Sequence, residues 1–441
     1  MTKQDSELIG KIRQQFDTGP YPRTPLEQSP KKDYNVLFIH SLVTSFYLRD
    51  KQIIDTKNKI ILDAGCGTGY KALALAEANP GAQIVCIDLS EESIKLAQKR
   101  LEYQGFQNVE FYPMKIEEVP TLGIQFDYIN NDEVLYLFPE PATGLQILKS
   151  VLKPDGIIRS NLHSSLARTY WYRAQELCQM MGLMEENPRE LEIEIVRDTM
   201  KALKNDVVLK AQTWKSQYEN NEEWFLMNYL FQGDKGYTIP ELFFSLKSAD
   251  LEFISMVNWR RWELMDLFED PENLPMFLGI SLPELEVADK LHLFELLHPI
   301  NRLLDFWCGH PNTAQAFVPV DEWTDSDWQE VNVHLHPQLR TQQVREDLVE
   351  CITNHRPFEV SRYITRSIRS SIFIESSIGA CLLPLWEGPQ PVQALVNLWL
   401  QIRPLHPETL EPVSQAKAFE DIKEILSDLE TFLYVLLEHL P

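Results

Sequence analysis

The sequence predicts an α/β protein built on a doubly wound parallel sheet, with a helical insertion and a mainly helical C-terminal region. From residue 58, apolar strand-like runs alternate with helical patterns, which is typical of a parallel sheet covered by helices on both faces. The first run ends at Asp63 and passes into a turn with glycines at alternate positions, Gly65, Gly67 and Gly69. After residue 165 the alternation stops, which indicates a helical insertion.

The helices between the predicted strands carry their own start and stop signals. The first ends at Asn79-Pro80, and the second has Ser90 as its N-cap, acidic residues in its first turn and a glycine at its end. Thr238 caps a later helix that leads into a sixth strand. The six predicted strands are, in chain order, KIILDAG, AQIVCIDLS, NVEFYPM, FDYINND, GIIRSNLHS and LEFISMV.

These elements predict three parts of the chain. Residues 1–57 form an N-terminal lid or cap segment, in which residues 19–32 are rich in proline and must be irregular or extended. Residues 58–262 form the sheet domain, with the helical insertion at about 166–236. Residues 263–441 form a mainly helical domain to which the sequence assigns no role.

Composition and charge restrict the functions that can be expected. The formal net charge of −24 disfavours nucleic acid as a partner, because an acidic surface repels phosphates. No apolar run approaches the ~20 residues of a membrane-spanning helix, and the first residues lack the apolar core of a signal peptide. We therefore expect a cytoplasmic protein without a membrane partner.

Cysteine and histidine positions argue against a metal site. The six cysteines are scattered and form no C-x-x-C pair, which suits reduced thiols. His334-x-His336 and Cys308-x-His310 lack further ligands at any recognised spacing. We therefore expect no bound metal.

The glycine turn has the geometry of a ligand site. The first N–H groups of a helix have no partners within the helix, and the helix dipole adds positive charge there. Glycine allows positive φ and lets a ligand touch the backbone. Asp88 ends the next strand, 23 residues after Gly65, where an acid can bind a ribose hydroxyl. A dinucleotide, which favours G-x-G-x-x-G, and a merely structural turn are the alternatives.

Three motifs resemble those of the class I S-adenosyl-L-methionine (SAM) dependent methyltransferases. The G-C-G-T-G repeat with Asp63 before it resembles the first motif of that family. FDYINNDEVLYLFPEP resembles its fourth-strand motif, and VLKPDGII is similar to its LKPGG turn, with Asp155 in place of the first glycine. The resemblance implies a Rossmann-like methyltransferase sheet that uses SAM as its cofactor.

The resemblance also implies which residues bind the cofactor. The turn would hold the methionine part of SAM, Asp88 the ribose, and Leu89 the adenine. After the third strand, Ile116 and Glu117 stand where the family usually has an aspartate near the adenine. The candidate cofactor residues are Asp63, Gly65, Cys66, Gly67, Gly69, Asp88, Leu89, Ile116, Glu117, Asn131 and Tyr21.

The leader and the C-terminal half have resemblances of their own. QFDTGPYPRTPL is similar to a QYExxPYPRW element that precedes some bacterial methyltransferase domains and forms a lid near the SAM carboxylate, so Phe16, Tyr21 and Arg23 are lid candidates. The C-terminal half resembles the regulatory region of some bacterial methyltransferases, including ones that modify protein lysines.

Methyl transfer from SAM needs positioning and water exclusion more than covalent chemistry. A base is needed only where the acceptor must lose a proton first, and Glu133 is the first candidate and His163 the second. Glu133 could instead cap the helix that follows it, and His163 could be a structural residue. A small-molecule acceptor is favoured. The alternatives are protein lysine methylation and a SAM-binding regulatory or scaffold protein without turnover. The sequence does not reveal the oligomeric state.

Overall fold

The computed structural model describes residues 10, 11, 14, 21–314, 317–364 and 371–439. Strands and helices occur along the whole described chain. The strands are β1 (Ile60–Ala64), β2 (Gln83–Asp88), β3 (Val109–Pro113), β4 (Phe126–Asn131), β5 (Leu152–Ser164), β6 (Gly236–Tyr237), β7 (Glu252–Met256), β8 (Leu303–Gly309), β9 (Val331–Leu335), β10 (Phe358–Glu359), β11 (Phe373–Ile374), β12 (Gln390–Pro391) and β13 (Val435–His439).

The α-helices fall between these strands and in two longer helical stretches. They are α1 (Tyr34–His40), α2 (Leu42–Asp50), α3 (Tyr70–Ala78), α4 (Glu91–Tyr103), α5 (Pro141–Ser150), α6 (Thr169–Met180), α7 (Glu190–Ala202), α8 (Val208–Thr213), α9 (Glu222–Asn228), α10 (Ile239–Ser248), α11 (Met276–Ser281), α12 (Val287–Leu297), α13 (Asp325–Gln329), α14 (Gln342–Thr353), α15 (Ser376–Leu382), α16 (Val392–Ile402) and α17 (Gln415–Glu430).

The chain divides into two compact units. The sheet unit takes its described residues from 1–29, 59–73 and 83–313. The C-terminal unit takes them from 30–58, 74–82 and 314–441. The predicted 1–57 cap is therefore not one segment, because α1 and α2 belong to the C-terminal unit.

The sheet unit confirms the predicted α/β fold. Its main sheet has the strand order β3-β2-β1-β4-β5-β8-β7, with β6 paired to β5. The pairs from β3 to β5 are parallel, as the alternation of strands and helices predicts. All six predicted strands are present, and β7 is the sixth.

Two strands of this sheet were missed, the two-residue β6 and the longer β8, and β8 corrects the predicted domain boundary. β8 lies antiparallel between β5 and β7. The sheet therefore continues past residue 262, where the sequence placed the end of the domain, and the sheet unit extends to residue 313. The helical patterns of α11 and α12 precede β8 and hid it, and Asp305 interrupts its apolar run LLDFWCG.

The helical insertion has a core of its own within the sheet unit. Helices α6 to α9 lie inside the range predicted for it. Their buried apolar side chains form a cluster separate from the core of the main sheet, namely Ala174, Cys178, Met184, Ile193, Val196, Met200, Phe225, Tyr229 and Leu230. The insertion thus adds a second packed layer, as its amphipathic helices require.

The C-terminal unit combines helices with a small antiparallel sheet, in the order β12-β9-β13. The sequence predicted a mainly helical region here, but α17 ends at Glu430, Leu433 has a φ of 56°, and the strand β13 follows. Within this unit Nε2 of His336 lies 3.1 Å from the Thr44 hydroxyl, and burial lowers the pKa of His336 to about 3.

Two further observations concern only the described residues. None of their helices combines the length and the apolar character that crossing a membrane requires. They also contain no group of three or more His, Cys, Asp or Glu side chains that could hold a metal ion.

Candidate functional site

The glycine turn after β1 is shaped by positive φ angles and by close neighbours. Gly65, Gly67 and Gly69 have φ angles of 89°, 51° and 83°. A Cβ at Gly67 would lie 2.3 Å from the carbonyl oxygen of Tyr21. A Cβ at Gly69 would lie 2.7 Å from Cα of Ala97. Both the backbone conformation and the lack of space therefore require glycine at this turn.

Asp88 lies at this turn, as its spacing predicted. One carboxylate oxygen accepts a hydrogen bond from the Gly67 N–H and the other from the Ser90 N–H, both at 2.9 Å. The N–H groups of Gly65 and Cys66 both donate to the carbonyl of Ile87, also at 2.9 Å. β2 thus holds the turn in place, and ribose binding by Asp88 stays a prediction.

Asp63 is buried at the end of β1 with one carboxylate oxygen unsatisfied. Its Oδ1 accepts a hydrogen bond from Nδ2 of Asn130 at 2.8 Å. Its Oδ2 is buried and has no hydrogen-bond partner among the described residues. Burial raises the pKa of Asp63 to about 7, with Asn130, Lys71 and Arg159 acting against that rise.

A buried row of polar side chains leads away from Asp63 across the sheet. Nη1 of Arg159 donates to Oδ1 of Asn130 at 3.0 Å. The same guanidinium donates to both carboxylate oxygens of Asp305, at 3.1 and 2.7 Å. The row joins β1, β4, β5 and β8, and we call Asp63, Asn130, Arg159 and Asp305 the polar ladder.

Three other cofactor candidates lie in different settings. Both ends of the Asn131 amide are engaged, because Nδ2 donates to the Ala64 carbonyl at 3.0 Å and Oδ1 accepts from the Ser160 hydroxyl at 2.9 Å. Ile116 belongs to the apolar core, and Glu117 is exposed. Asn131 thus braces neighbouring strands, and cofactor contacts of these residues stay predictions, like that of the partly buried Leu89.

The leader lies directly on the glycine turn. The Thr68 N–H donates to the Tyr21 carbonyl at 3.0 Å, and the Thr68 hydroxyl donates to the Pro22 carbonyl at 2.7 Å. Buried Arg100 donates to the carbonyl of Thr68 at 2.8 Å and also to leader carbonyls. The side chain of Arg23 pairs with Glu222 of α9 at 3.2 Å. Phe16, the third lid candidate, lies outside the described residues.

Glu133 is held by a cation that the sequence did not reveal. Its carboxylate pairs with the guanidinium of Arg302 at 2.5 Å, and its N–H donates to Oδ1 of Asn161 at 2.8 Å. Burial alone would raise the pKa of Glu133, but the charge of Arg302 outweighs it, so the pKa lies below its ordinary value. The side chain is engaged in this pair instead of capping the following helix.

His163 forms a buried pair with Asp234. Its Nδ1 lies 2.6 Å from Oδ1 of Asp234, and Arg168 and Gln175 donate to the other carboxylate oxygen at 2.7 and 2.8 Å. The imidazole stacks on Tyr136, with ring centroids 4.0 Å apart. Burial lowers the pKa of His163 below its ordinary value, so the ring is neutral at pH 7.

Arg302 connects the two catalytic candidates and fixes the tautomer of His163. Its Nη1 lies 3.2 Å from Nε2 of His163. Because a guanidinium only donates, Nε2 must accept, and the proton sits on Nδ1 facing Asp234. Burial raises the pKa of Tyr21, and the negative charge of Glu133 raises it further, so this residue of the leader lies near the same group of side chains. We call Glu133, His163, Asp234 and Arg302 the charged cluster.

Two of the residues that sequence reasoning missed carry a weak signal in the sequence. Arg159 is a charged residue inside the apolar fifth strand, and Asp305 interrupts the apolar run of β8. A charge inside such a run implies a buried partner. Asp234 and Arg302 follow long helical stretches and carry no local signal that would connect them with His163.

The donor set of the turn fits SAM. The unsatisfied Oδ2 of Asp63 is the group that an ammonium would complete. The glycines allow the backbone of the turn to approach its neighbours closely, since a Cβ at Gly65 would lie 2.4 Å from Cγ2 of Val134. The turn, Asp63 and Asp88 together can therefore hold a ligand that carries both an amino group and a ribose.

Comparison with known proteins also indicates a methyltransferase. A family model described as methyltransferase domain matches residues 55–236. The uncharacterized protein syc1184_c of Synechococcus sp. is 26% identical over 347 residues, which are 74% of this chain and 80% of that protein.

One further relative and one solved structure are informative. The ubiquinone biosynthesis O-methyltransferase of Actinobacillus pleuropneumoniae is 33% identical over 105 residues, 23% of this chain and less than half, 44%, of that protein. The structure of PKMT2 from Rickettsia typhi in complex with AdoHcy has a TM-score of 0.58 and 15% identity, covering 91% of this chain and 76% of that one. At this identity the likeness concerns the fold.

Proposed function

We propose that this chain, which is a class I SAM-dependent methyltransferase, transfers the methyl group of SAM to a hydroxyl oxygen of a small-molecule acceptor, with His163 as the base. The single observation that carries the choice of base is the buried His163–Asp234 pair, 2.6 Å apart. One relative that matches part of the sheet unit, the ubiquinone biosynthesis O-methyltransferase, is named for an oxygen acceptor, which agrees with this choice.

Three residues would hold the donor. Asp63 would accept a hydrogen bond from the amino group, the turn around Gly67 would contact the amino-acid part, and Asp88 would bind the ribose. When bound, SAM supplies a methyl group that its sulfonium already makes electrophilic. The leader at Tyr21 would limit the access of water to this end of the site, because it is tied to the turn through Thr68.

His163 suits proton removal from a hydroxyl better than Glu133 does. Its ring is neutral at pH 7, and Asp234 holds the proton on Nδ1, which places the basic lone pair on Nε2, where Arg302 now donates. Glu133 is ionised, but its pKa is lowered and its carboxylate already pairs with Arg302. The expected first base, Glu133, therefore becomes the residue that holds Arg302.

Arg302 would have to leave Nε2 before the acceptor can reach it. Its side chain is 49% exposed, so it can swing toward Glu133 without unpacking the core. The acceptor hydroxyl would then donate to Nε2, the proton would pass to His163, and Asp234 would stabilise the imidazolium. Afterwards His163 would lose that proton to water.

A second candidate is transfer to an amine of a polypeptide. Glu133 and the rings of Tyr21 and Tyr136 would suit a lysine ammonium, and the net charge of −24 would attract a basic protein. Arg302 opposes this candidate, because it already pairs with Glu133, the carboxylate that a lysine ammonium would need. A regulatory SAM-binding protein would show no turnover with either acceptor.

Methyl-labelled SAM and a cell extract separated into small-molecule and protein fractions would test the proposal. We expect label in a small molecule with the native chain, and at least a hundredfold less with His163→Ala, while S-adenosylhomocysteine (SAH) binds both equally. His334→Ala, in the C-terminal unit, is the control and should transfer normally. Label in protein lysines, or no transfer to either fraction despite SAH binding, would overturn the small-molecule assignment.

A further inference from the structure

The polar ladder crosses four strands and is buried along its whole length. Asp63 lies opposite Asn130 in the pairing of β1 with β4, and Asn130 lies opposite Arg159 in the pairing of β4 with β5. The residue exposures are 1% for Asp63, 0% for Asn130, 2% for Arg159 and 9% for Asp305. A buried row of this kind persists only where its members satisfy one another.

The chemistry of Arg159 gives the ladder a direction. A guanidinium has donors only, so the amide oxygen of Asn130 must face Arg159. The amide nitrogen of Asn130 must then face Asp63, where it donates to Oδ1. One oxygen of Asp63 is thereby fixed, and the orientation of the other oxygen, Oδ2, follows from it.

Asp305 holds Arg159 in the position from which it donates to Asn130. Its carboxylate accepts two hydrogen bonds from the guanidinium, one from Nε and one from Nη2. A second carboxylate competes for the same cation, because Asp132 lies 3.6 Å from Nη2. Without the charge of Asp305, Arg159 would be drawn toward Asp132 and away from Asn130.

We propose that Arg159 and Asp305 are positioning residues for the methyl donor, because they orient Asn130 so that Oδ2 of Asp63 stays available for the donor's ammonium. This inference rests on the proposed binding of SAM at Asp63. It connects β8, a strand that the sequence did not reveal, to the glycine turn. It adds no residue to the transfer step itself.

Two ligands separate this role from a merely structural one. SAH carries the amino-acid part with its ammonium, whereas 5′-methylthioadenosine has the same nucleoside without the amino-acid part. Calorimetry with Asp305→Asn should show SAH binding weakened about tenfold, and 5′-methylthioadenosine binding within about twofold of native. Asp305→Glu, which keeps the charge, should recover most of the SAH affinity.

Two more variants keep the test decisive. Asp127→Asn changes another buried carboxylate of the sheet, which pairs with Lys59 and Lys153, and should leave both affinities unchanged. If Asp305→Asn does not fold, Asn130→Ala keeps the Arg159–Asp305 pair and should show the same selective loss.

The outcomes separate this inference from the function on which it rests. Equal loss of both ligands, or loss of neither, in the folded variants would overturn the positioning role. Failure of the native chain to bind SAH would instead overturn the proposed donor site.

Discussion

The proposed donor side and the proposed acceptor side of the site are built in different ways. The donor side uses one turn, the end of the next strand and backbone groups, so that Asp63, Gly67 and Asp88 lie close together in both sequence and space. The acceptor side uses the charged cluster, whose members come from four separate segments of the sheet unit.

This difference decides how each side tolerates change. The donor side depends on backbone conformation, so substitutions there act through φ and space. The acceptor side depends on side chains that satisfy one another in a buried setting, so substitutions there act through charge and tautomer. Four predictions follow the comparison, from the largest expected effect to the smallest.

Gly67→Ala should weaken SAH binding more than about a hundredfold, because it combines left-handed backbone strain with a clash. The new Cβ would lie 2.3 Å from the Tyr21 carbonyl oxygen. Calorimetry would measure the affinity. Gly105→Ala is the matched control, because its φ is 87° but nothing lies within 4 Å of the new Cβ, so it should lower only the melting temperature. A Gly67→Ala protein with near-native affinity would refute the donor site.

Asp234→Asn should lower the rate of methyl transfer about a hundredfold and leave SAH affinity unchanged. The amide oxygen of the new Asn would face the donors Arg168 and Gln175, so its N–H would donate to Nδ1 and His163 would lose its tautomer, and a neutral amide cannot stabilise an imidazolium. Single-turnover kinetics with the acceptor identified by labelling would measure it, and Asp127→Asn would serve as the buried control. A loss of SAH affinity equal to the loss of rate would contradict the separation of the two sides.

The affinity for SAH should rise about tenfold between pH 5.5 and pH 7, because binding an ammonium requires Asp63 to be ionised and its pKa is raised to about 7. Asp63 changes the stability of the ligand-free chain with pH in the direction opposite to its effect on SAH affinity. Without ligand, the folded chain keeps on Asp63 the proton that the unfolded chain loses near pH 4, so the contribution of Asp63 to the free energy of unfolding falls as pH rises toward 7, while buried His336 and His163 contribute in the opposite direction. Asp63→Asn should remove the pH dependence of SAH affinity and the part of the pH dependence of stability that Asp63 causes. Calorimetry and thermal unfolding at several pH values would measure affinity and stability. An affinity of the native chain for SAH that does not change with pH would count against the prediction.

Thr68→Val should weaken SAH binding about threefold, because it removes one buried hydrogen bond, from the hydroxyl to the Pro22 carbonyl at 2.7 Å. The leader would then be held less firmly on the turn. Titration calorimetry would measure the change, and Thr121→Val, which removes a hydroxyl bond to the Glu118 carbonyl at an exposed position, is the control. Equal effects of the two variants would mean that the leader does not contribute to binding.

The sequence predicted the parts of the fold that depend on local patterns. The six strands and their helices follow from apolar runs and caps such as Ser90, whose side chain accepts the Ser93 N–H. β8 could not be found in this way, because its antiparallel place between β5 and β7 depends on partners far away in the chain. For the same reason the predicted boundary at residue 262 fell inside the sheet unit.

The residues of the candidate site also differ in whether local sequence patterns could reveal them. Asp63, the three glycines and Asp88 could be found because their spacing along the chain carries the geometry of the turn. Glu133 and His163 were found as candidates, but their order as bases could not be predicted. That order depends on Arg302, which lowers the pKa of Glu133, and on Asp234, which orients His163.

The sequence by itself determined the alternation of strands and helices and the position of the glycine turn, because both depend on residues close together in the chain. The tertiary structure alone decided the charged cluster and the polar ladder. Their ion pairs join residues more than a hundred positions apart, such as Arg159 with Asp305 and Glu133 with Arg302, and only folding brings those charges together.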